Sequence, residues 1–360
     1  MAITASMVKE LRELTGAGML DCKKALAETD GNMDAAVEVL RKSGAAKMEK
    51  KASRIAAEGI ARVATNGTDA VVVEVNSETD FVAKNELFQD FVQVIADNAR
   101  ASGLNGGMNG EDIDSLLAMN GLHDMLVEKT ATIGEKLSVR RFAKVSGDCV
   151  ATYLHAGGKI GVLVAATGDN GDAEKEALMN VAMQVAAMNP QYIGRADISQ
   201  EEIDKMRDIT VDSSLNDSAS LPKPILNDLF GKAVSGKLFS DEDLAVYEEK
   251  KNDKYLFNFL SDAAKATLSD LAMQDKANIV DNKIFGGMIE GRISKQLKEI
   301  SLLDQVYVKA EDGKQTVAKY LESVNKNLTI TKFVRFEVGE GMEKKNEDFA
   351  AEVAAQMAGK

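Results

Sequence analysis

The nearest the chain comes to a phosphate-binding loop is Gly157-Gly158-Lys159-Ile160. A Walker loop needs G-x-x-x-x-G-K followed by Ser or Thr, whose hydroxyl reaches the magnesium ion; Ile160 stands in that place, so these glycines read as a strand turn. The glycine-rich run at 102–110 lacks G-x-G-x-x-G and follows a helical pattern rather than a strand, which predicts a flexible loop. Hydrolytic chemistry would need a histidine held between a nucleophile and an orienting acid. His123, beside Asp124 in a polar helical stretch, reads as a surface residue. His155 closes an apolar strand just before Ala156-Gly157-Gly158, where a turn would expose it, either as a structural cap or as a functional group. No nucleophile is placed beside either, so no enzymatic activity is expected. Two histidines and two well-separated cysteines, Cys22 and Cys149, are a thin supply of metal ligands and hold no C-x-x-C pair. No metal, nucleotide or other cofactor is expected to bind directly.

The most unusual segment is Asn76-Ser77-Glu78-Thr79-Asp80-Phe81-Val82, at the end of a valine-rich strand pattern. A Phe and a Val follow an Asp where a polar strand-to-helix connection is due. Either Phe81 folds back into the core, or it is displayed at a loop tip as a binding wedge.

The elements that must position these residues can be read from periodicity. In the first 44 residues, Thr4 or Ser6 can cap a helix bearing Val8, Leu11 and Leu14 that ends at Gly16 to Gly18. A second helix runs from Met19 to a stop at Gly31, and Asn32 caps a third with Ala36, Val37 and Leu40 on one face, closed by Gly44. Short amphipathic helices are not stable alone, so the three must share one small core. The run 47–54, rich in Lys and Arg, reads as a linker helix. A strand-then-helix unit then recurs: strand 70–75 with helix 88–96, strand 161–166 with helix 177–188 stopped by Pro190, and strand 333–338 with helix 349–357. Strands at 138–145 and 149–154, with Gly147 and Asp148 between them, suggest a hairpin. Between 199 and 285 helical patterns dominate, interrupted by Pro222 and Pro224. The predicted class is α+β, with small, largely antiparallel sheets and helices on one side. The predicted domains are a three-helix head with its linker (1–54), a first core half (55–146), a second core half (147–199 with 286–343), a helical insertion (200–285) and a C-terminal helix (344–360).

At 360 residues and 45% hydrophobic, the chain can bury a sizeable core in two or three domains. Its net charge of -13 argues against nucleic acid as the main partner. The balance is uneven: ten Lys/Arg face eight Asp/Glu between residues 1 and 54, so a slightly basic head precedes an acidic body. The start carries no basic segment leading into an apolar run, and stretches such as 160–166 are far below the ~18 residues of a membrane span, so a cytoplasmic protein off the membrane is expected.

The segment Leu11-Arg12-Glu13-Leu14-Thr15-Gly16-Ala17-Gly18-Met19-Leu20-Asp21-Cys22-Lys23-Lys24-Ala25-Leu26 resembles the N-terminal signature of the elongation factor Ts family, and Glu74-Val75-Asn76-Ser77-Glu78-Thr79-Asp80-Phe81-Val82-Ala83 resembles its second signature. The similarity continues through Ile133-Gly134-Glu135, from His155 to Ala165, and through Arg335-Phe336-Glu337-Val338-Gly339-Glu340-Gly341. The resemblance implies a head similar to ubiquitin-associated domains, a duplicated α+β core and a C-terminal helix. It also implies a guanine nucleotide exchange factor for elongation factor Tu, bound in its GDP-carrying and nucleotide-free states. In the family, head and C-terminal helix grip a surface helix of the GTPase, while a Thr-Asp-Phe-Val loop is pushed against helices beside the nucleotide site. Carried over by motif, that loop is Thr79, Asp80, Phe81 and Val82, with Asp80 and Phe81 the intruding pair that disturbs magnesium and phosphate contacts. His155 matches a family histidine in the same interface, Lys23 falls on the gripping face, and Gly134 lies in a matched partner-binding stretch. The segment 206–282 is mostly additional to the family's helical hairpin, which takes part in dimer contacts in some members, so a homodimer is one expected assembly. A ubiquitin-associated-type adaptor without exchange activity is the alternative; it would explain the head but not the Asp80-Phe81 loop.

Overall fold

The computed structural model describes residues 3–343, and the chain folds as α+β in two compact units, one up to Asn189 and again from Val306, the other Pro190–Gln305. The expected C-terminal helix at 344–360 lies outside the described residues.

The first unit opens with α1 (Ala5–Thr15), α2 (Met19–Glu28) and α3 (Met33–Lys51). Thr4, not Ser6, caps α1 by accepting from the Met7 amide, and Gly16 closes it at φ 63°. Leu11, Cys22, Ala25, Leu26 and Ala36 form the shared core. Two expectations change here. Leu14, placed by periodicity on the buried face, is 65% exposed. Gly44 does not stop α3, which runs on to Lys51 and absorbs the first part of the basic run. The reason lies in α7 (Leu122–Ile133): a Cβ on Gly44 would come within 3.0 Å of the Val127 methyl, so the glycine permits close helix approach. That contact offsets the ~1 kcal/mol a helix-interior glycine costs.

The body holds two three-stranded antiparallel sheets. β1 (Glu58–Thr65), β2 (Asp69–Ser77) and β3 (Ser138–Ser146) form one in that order; β4 (Cys149–His155), β5 (Ile160–Thr167) and β6 (Thr329–Glu337) form the other. The sequence pattern misses β1 altogether and misassigns the connection at Gly147-Asp148. β3 and β4 do not pair; the chain crosses there from one sheet to the other. Gly147 donates to the Thr68 carbonyl at 2.9 Å, and a Cβ on it would sit 2.7 Å from the Ala166 carbonyl oxygen, so the crossing is wedged between the β1–β2 turn of one sheet and β5 of the other.

The sheets pack face to face through Ala61, Val72, Ala143, Leu163, Ala165 and Phe336. The other face of the first sheet is covered by α5 (Glu86–Ala101), whose Phe88, Phe91 and Ile95 meet Val71, Val73 and Val75. The second sheet carries α8 (Asp172–Met188), which ends at Asn189 in the left-handed region just before Pro190. β2 is thus buried on both faces, which is why its sequence is a continuous apolar run rather than an alternation. Two short helices, α4 (Asp80–Ala83) and α6 (Ile113–Leu117), complete this part, with α15 (Val317–Val324) preceding β6.

The second unit is wholly helical in its regular elements: α9 (Gln200–Asn216), α10 (Lys223–Ser235), α11 (Asp241–Lys250), α12 (Asp262–Gln274), α13 (Lys276–Val280) and α14 (Lys283–Ile300). Leu215, Leu229, Phe230, Leu268, Phe285 and Ile289 share its own core. Pro222 and Pro224 begin α10 rather than interrupt a helix: Pro222 is its N-cap and Pro224 sits in the first turn, where a missing N–H costs nothing. Among the described residues no helix is long and apolar enough to cross a membrane.

Candidate partner-binding surface

β2 ends at Ser77, and the chain turns through Glu78 and Thr79 into the four-residue α4. Phe81, the second residue of α4, is 80% exposed, so of the two readings of this aromatic the structure selects display. Asp80 is half-buried beside it, with its side chain partly in solvent, and accepts from Lys84 Nζ at 2.8 Å. That hydrogen bond, then the charges of Lys84 and Lys159, hold the Asp80 carboxyl below its ordinary range, so it stays anionic at neutral pH. Val82, in contrast, is 8% exposed and packs with Ala83 into the core of the first sheet. The four motif residues therefore divide their roles: Asp80 and Phe81 face outward, while Val82 anchors.

Thr79 is held from the opposite side. Helix α7 closes on Gly134 at φ 87°, a conformation that favours glycine and reverses the chain. The next residue, Glu135, accepts from the Thr79 amide at 2.9 Å and from the Thr79 hydroxyl at 2.7 Å. Glu78 accepts from the Lys136 amide at 2.6 Å and from Arg54 Nη1 at 3.2 Å. Gly134 itself is exposed, with no atom within 4 Å of where a Cβ would stand, so another protein's backbone has room to approach it.

His155 ends β4, paired with Ile160 across the tight turn Ala156-Gly157-Gly158, whose φ values are 50°, 68° and 96°. A strand follows this turn, not a helix, which disposes of the phosphate-loop reading. Gly158 lies against β1, where a Cβ would come within 2.8 Å of the Ala61 carbonyl oxygen. His155 is exposed, and its Nδ1 lies 3.1 Å from the Tyr153 hydroxyl. Lys159, at the end of the same turn, is ion-paired to Glu58 at the start of β1, and the His155 turn and α4 both pack against that strand.

Lys23 is elsewhere, on the exposed face of α2. Met19 and Leu20, four and three residues before it, are 61% and 74% exposed, and Leu14 is exposed on the adjoining helix. Among the described residues no hydrogen bond or ion pair joins Lys23 to either turn. The exposure of Leu14, Met19 and Leu20 was not read from sequence; the signal available was that a three-helix bundle this small has no interior left for them once Leu11, Cys22 and Leu26 are placed.

Burial raises the thiol pKa of both Cys22 and Cys149, which leaves neither activated as a nucleophile. His123 is exposed with Asp124 3.9 Å away. Among the described residues no group of His, Cys, Asp and Glu is arranged to hold a metal ion. A large aromatic displayed on a turn fastened at both ends has the form of a residue that makes contact with another protein.

The family model for elongation factor TS matches residues 78–340, from the start of the Phe81 turn to the loop after β6. The chain belongs to this family, whose members are nucleotide exchange factors for elongation factor Tu in translation elongation rather than catalysts of a chemical reaction. The head lies outside the matched range.

Proposed function

We propose that the protein docks on GDP-bound elongation factor Tu through the Leu14, Met19, Leu20 and Lys23 face of its head and through the edge formed by Phe81, Gly134 and His155. On docking, Asp80 and Phe81 intrude beside the nucleotide site and disturb the magnesium and phosphate contacts. GDP then leaves, and the nucleotide-free complex persists until GTP binds. A nucleotide of nanomolar affinity is held by about 12 kcal/mol. An exchange factor overcomes this by binding better to a conformation in which those contacts are spoiled. Coupling is reciprocal, so incoming nucleotide expels the factor by the same amount that the factor weakened the nucleotide. In this reading residues 1–54 supply docking, 55–146 carry the intruding turn, the second core half braces it, and the helical unit serves a separate role such as self-association. The protein works in the cytoplasm, with no cofactor of its own and no direct contact to nucleic acid or membrane.

The observation that carries the proposal is Phe81, 80% exposed at the tip of a turn whose neighbours Thr79 and Val82 are both fixed. The test is stopped-flow release of a fluorescent GDP analogue from elongation factor Tu. Phe81→Ala should slow factor-stimulated release by more than tenfold, given that truncating a packed interface Phe costs ~3 kcal/mol or more. In magnesium chelator the wild-type acceleration should shrink and its lead over Phe81→Ala should narrow. Unchanged release by the variant would reject the wedge; a lead of equal size in chelator would reject the magnesium route alone.

A further inference from the structure

We propose that Glu135 is the positioning residue of the Phe81 turn: its carboxylate latches Thr79 in the geometry that aims Phe81 outward, and through its neighbour Lys136 the same loop ties the turn to the end of α3. The proposal rests on the wedge reading for its functional consequence but not for its geometry.

A four-residue helix is far too short to hold itself, since its first hydrogen-bonded turn costs more conformational freedom than it returns. The residue before it normally helps by capping. Thr79 occupies that position in α4, yet its side chain makes no capping bond. Its hydroxyl is committed instead to one Glu135 oxygen at 2.7 Å, while its amide donates to the other at 2.9 Å. Using both carboxylate oxygens on one residue fixes orientation as well as distance, and hydrogen bonds to an ionised acceptor are the stronger kind. The Thr79 carbonyl is held as well, by the Ser77 hydroxyl at 3.0 Å.

On the far side, Val82 is buried and the Ala83 carbonyl accepts from Gln89 Nε2 at 3.1 Å, with Gln89 in turn held by Arg62 at 2.9 Å. Asp80 and Phe81 are the two residues between these anchors. Neither belongs to the core of the first sheet, which holds Val82 and Ala83, so the anchors on either side set their direction. Glu135 can reach Thr79 because Gly134 reverses the chain at the end of α7.

The second half of the latch joins the head's trailing helix to the same loop. Lys136 donates its amide to Glu78 at 2.6 Å and its ammonium to the carbonyls of Ala52 at 2.6 Å and Arg54 at 2.8 Å. Arg54 closes the ring on Glu78 at 3.2 Å. The segment 134–136 is thus where the end of α3, the close of α7 and the Phe81 turn are fastened together. A turn ordered beforehand need not be ordered on encounter, which raises the fraction of docked complexes in which the wedge is in place.

The test uses the full chain. In free Glu135→Ala, hydrogen exchange at the Thr79 amide should speed up about tenfold or more, as expected for loss of a charge-assisted bond. The maximal rate of stimulated GDP release should fall by a comparable factor, while the half-saturating concentration stays within about twofold, because the docking face of the head is untouched. Glu135→Gln keeps one acceptor oxygen and should fall between. Adding Thr79→Val to Glu135→Ala should cost little more, since both remove the same latch. Should Glu135→Ala fail to fold by circular dichroism, Thr79→Val alone, which keeps the side-chain shape and loses the hydroxyl, carries the same comparison. Unchanged Thr79 protection, or an unchanged maximal rate, in a folded variant overturns the proposal. Because amide exchange is read without any partner, failure of the latch is distinguishable from failure of the wedge, which Phe81→Ala judges in an otherwise wild-type chain.

Discussion

Glu74 is fully buried between the two sheets, a position in which a carboxylate survives only with every lone pair engaged. It accepts from Arg140 Nη1 at 2.9 Å, Arg141 Nε at 2.6 Å, Asn76 Nδ2 at 3.2 Å and the Gly339 amide at 2.8 Å. Arg141 lies over the Phe336 ring at 4.3 Å and donates to the Glu337 carbonyl at 3.1 Å, so one buried charge pair clamps the loop after β6 onto β2 and β3. The clamp also explains Gly339, at φ 74°: a Cβ there would lie 2.2 Å from the Ala57 carbonyl oxygen, and only a bare backbone can bring its amide to Glu74. Removing one partner of such a pair strands the other away from water. Glu74→Ala should therefore lose about 3–5 kcal/mol in urea unfolding, with Glu74→Gln losing less. A loss under about 1 kcal/mol would mean that Arg140 and Arg141 swing to solvent and that the clamp is dispensable. A buried Glu in a valine run is visible in the sequence, but apart from Asn76 its partners are 66 to 265 residues away and no local pattern announces them.

Helices α9 to α14 close on themselves. Phe285, Ile289 and Ile293 of α14 share a core with Val211 and Leu215 of α9, and the base is tied by a bridge between Tyr192 and Ser301, with the Leu302 amide donating to the Tyr192 carbonyl at 2.9 Å. The unit is therefore best excised at that base, because a cut inside α9 and α14 would uncover half its core. Replacing 193–301 with two or three glycines should leave the remaining α+β unit folded and its stimulation of GDP release within about threefold of wild type, as expected when no group of the proposed interface is removed. A folded protein with stimulation lost would place the helical unit on the partner. How far such elements could be read in advance depended on where their determinants lie. The head helices, β2, β5 and α8 carry local signals in caps, glycines and apolar runs, and these were legible. β1 was not, because its Gly, Ala and Arg residues give no strand alternation and it is held by pairing along the whole of β2. Gly44 and the Gly147 crossing mislead for one reason: each residue breaks local structure by default, and only a neighbour distant in sequence shows that it serves close packing or a change of sheet, whereas the two prolines of α10 are locally ambiguous because proline both stops a helix and starts one. At the candidate site, the motif pointed to the segment but could not say that Val82 goes in while Phe81 stays out, nor that Glu135 holds Thr79 from 56 residues away.

Across the whole chain, docking and disruption are assigned to different parts of one unit. The head has its own core in Leu11, Cys22, Leu26 and Ala36, a slightly basic charge balance and an exposed apolar face, whereas the body is acidic and carries the Phe81 turn. The two parts meet along α3 and α7, with Arg41 and Asp124 paired at 3.1 Å, and are continuous through α3. That continuity determines where they can be separated. Met48 packs against the core of the first sheet, and Ala52 and Arg54 belong to the latch on Lys136, so a deletion reaching residue 54 would damage the turn as well as remove the head. Deleting residues 1–42 takes away the bundle core and the Leu14, Met19, Leu20 and Lys23 face while leaving those anchors in place. If the head supplies affinity and the turn supplies disruption, the shortened protein should need at least about tenfold more to reach half-maximal stimulation, since losing even ~1.4 kcal/mol of docking energy has that effect. Its maximal rate should stay within about threefold of wild type, because transition-state contacts at the nucleotide site are retained. The measurement is stopped-flow GDP release over a range of factor concentrations, with Thr79 amide protection as the check that the latch survived the cut. A lowered ceiling at unchanged half-saturation, with that protection intact, would show that the head takes part in the disruptive step itself.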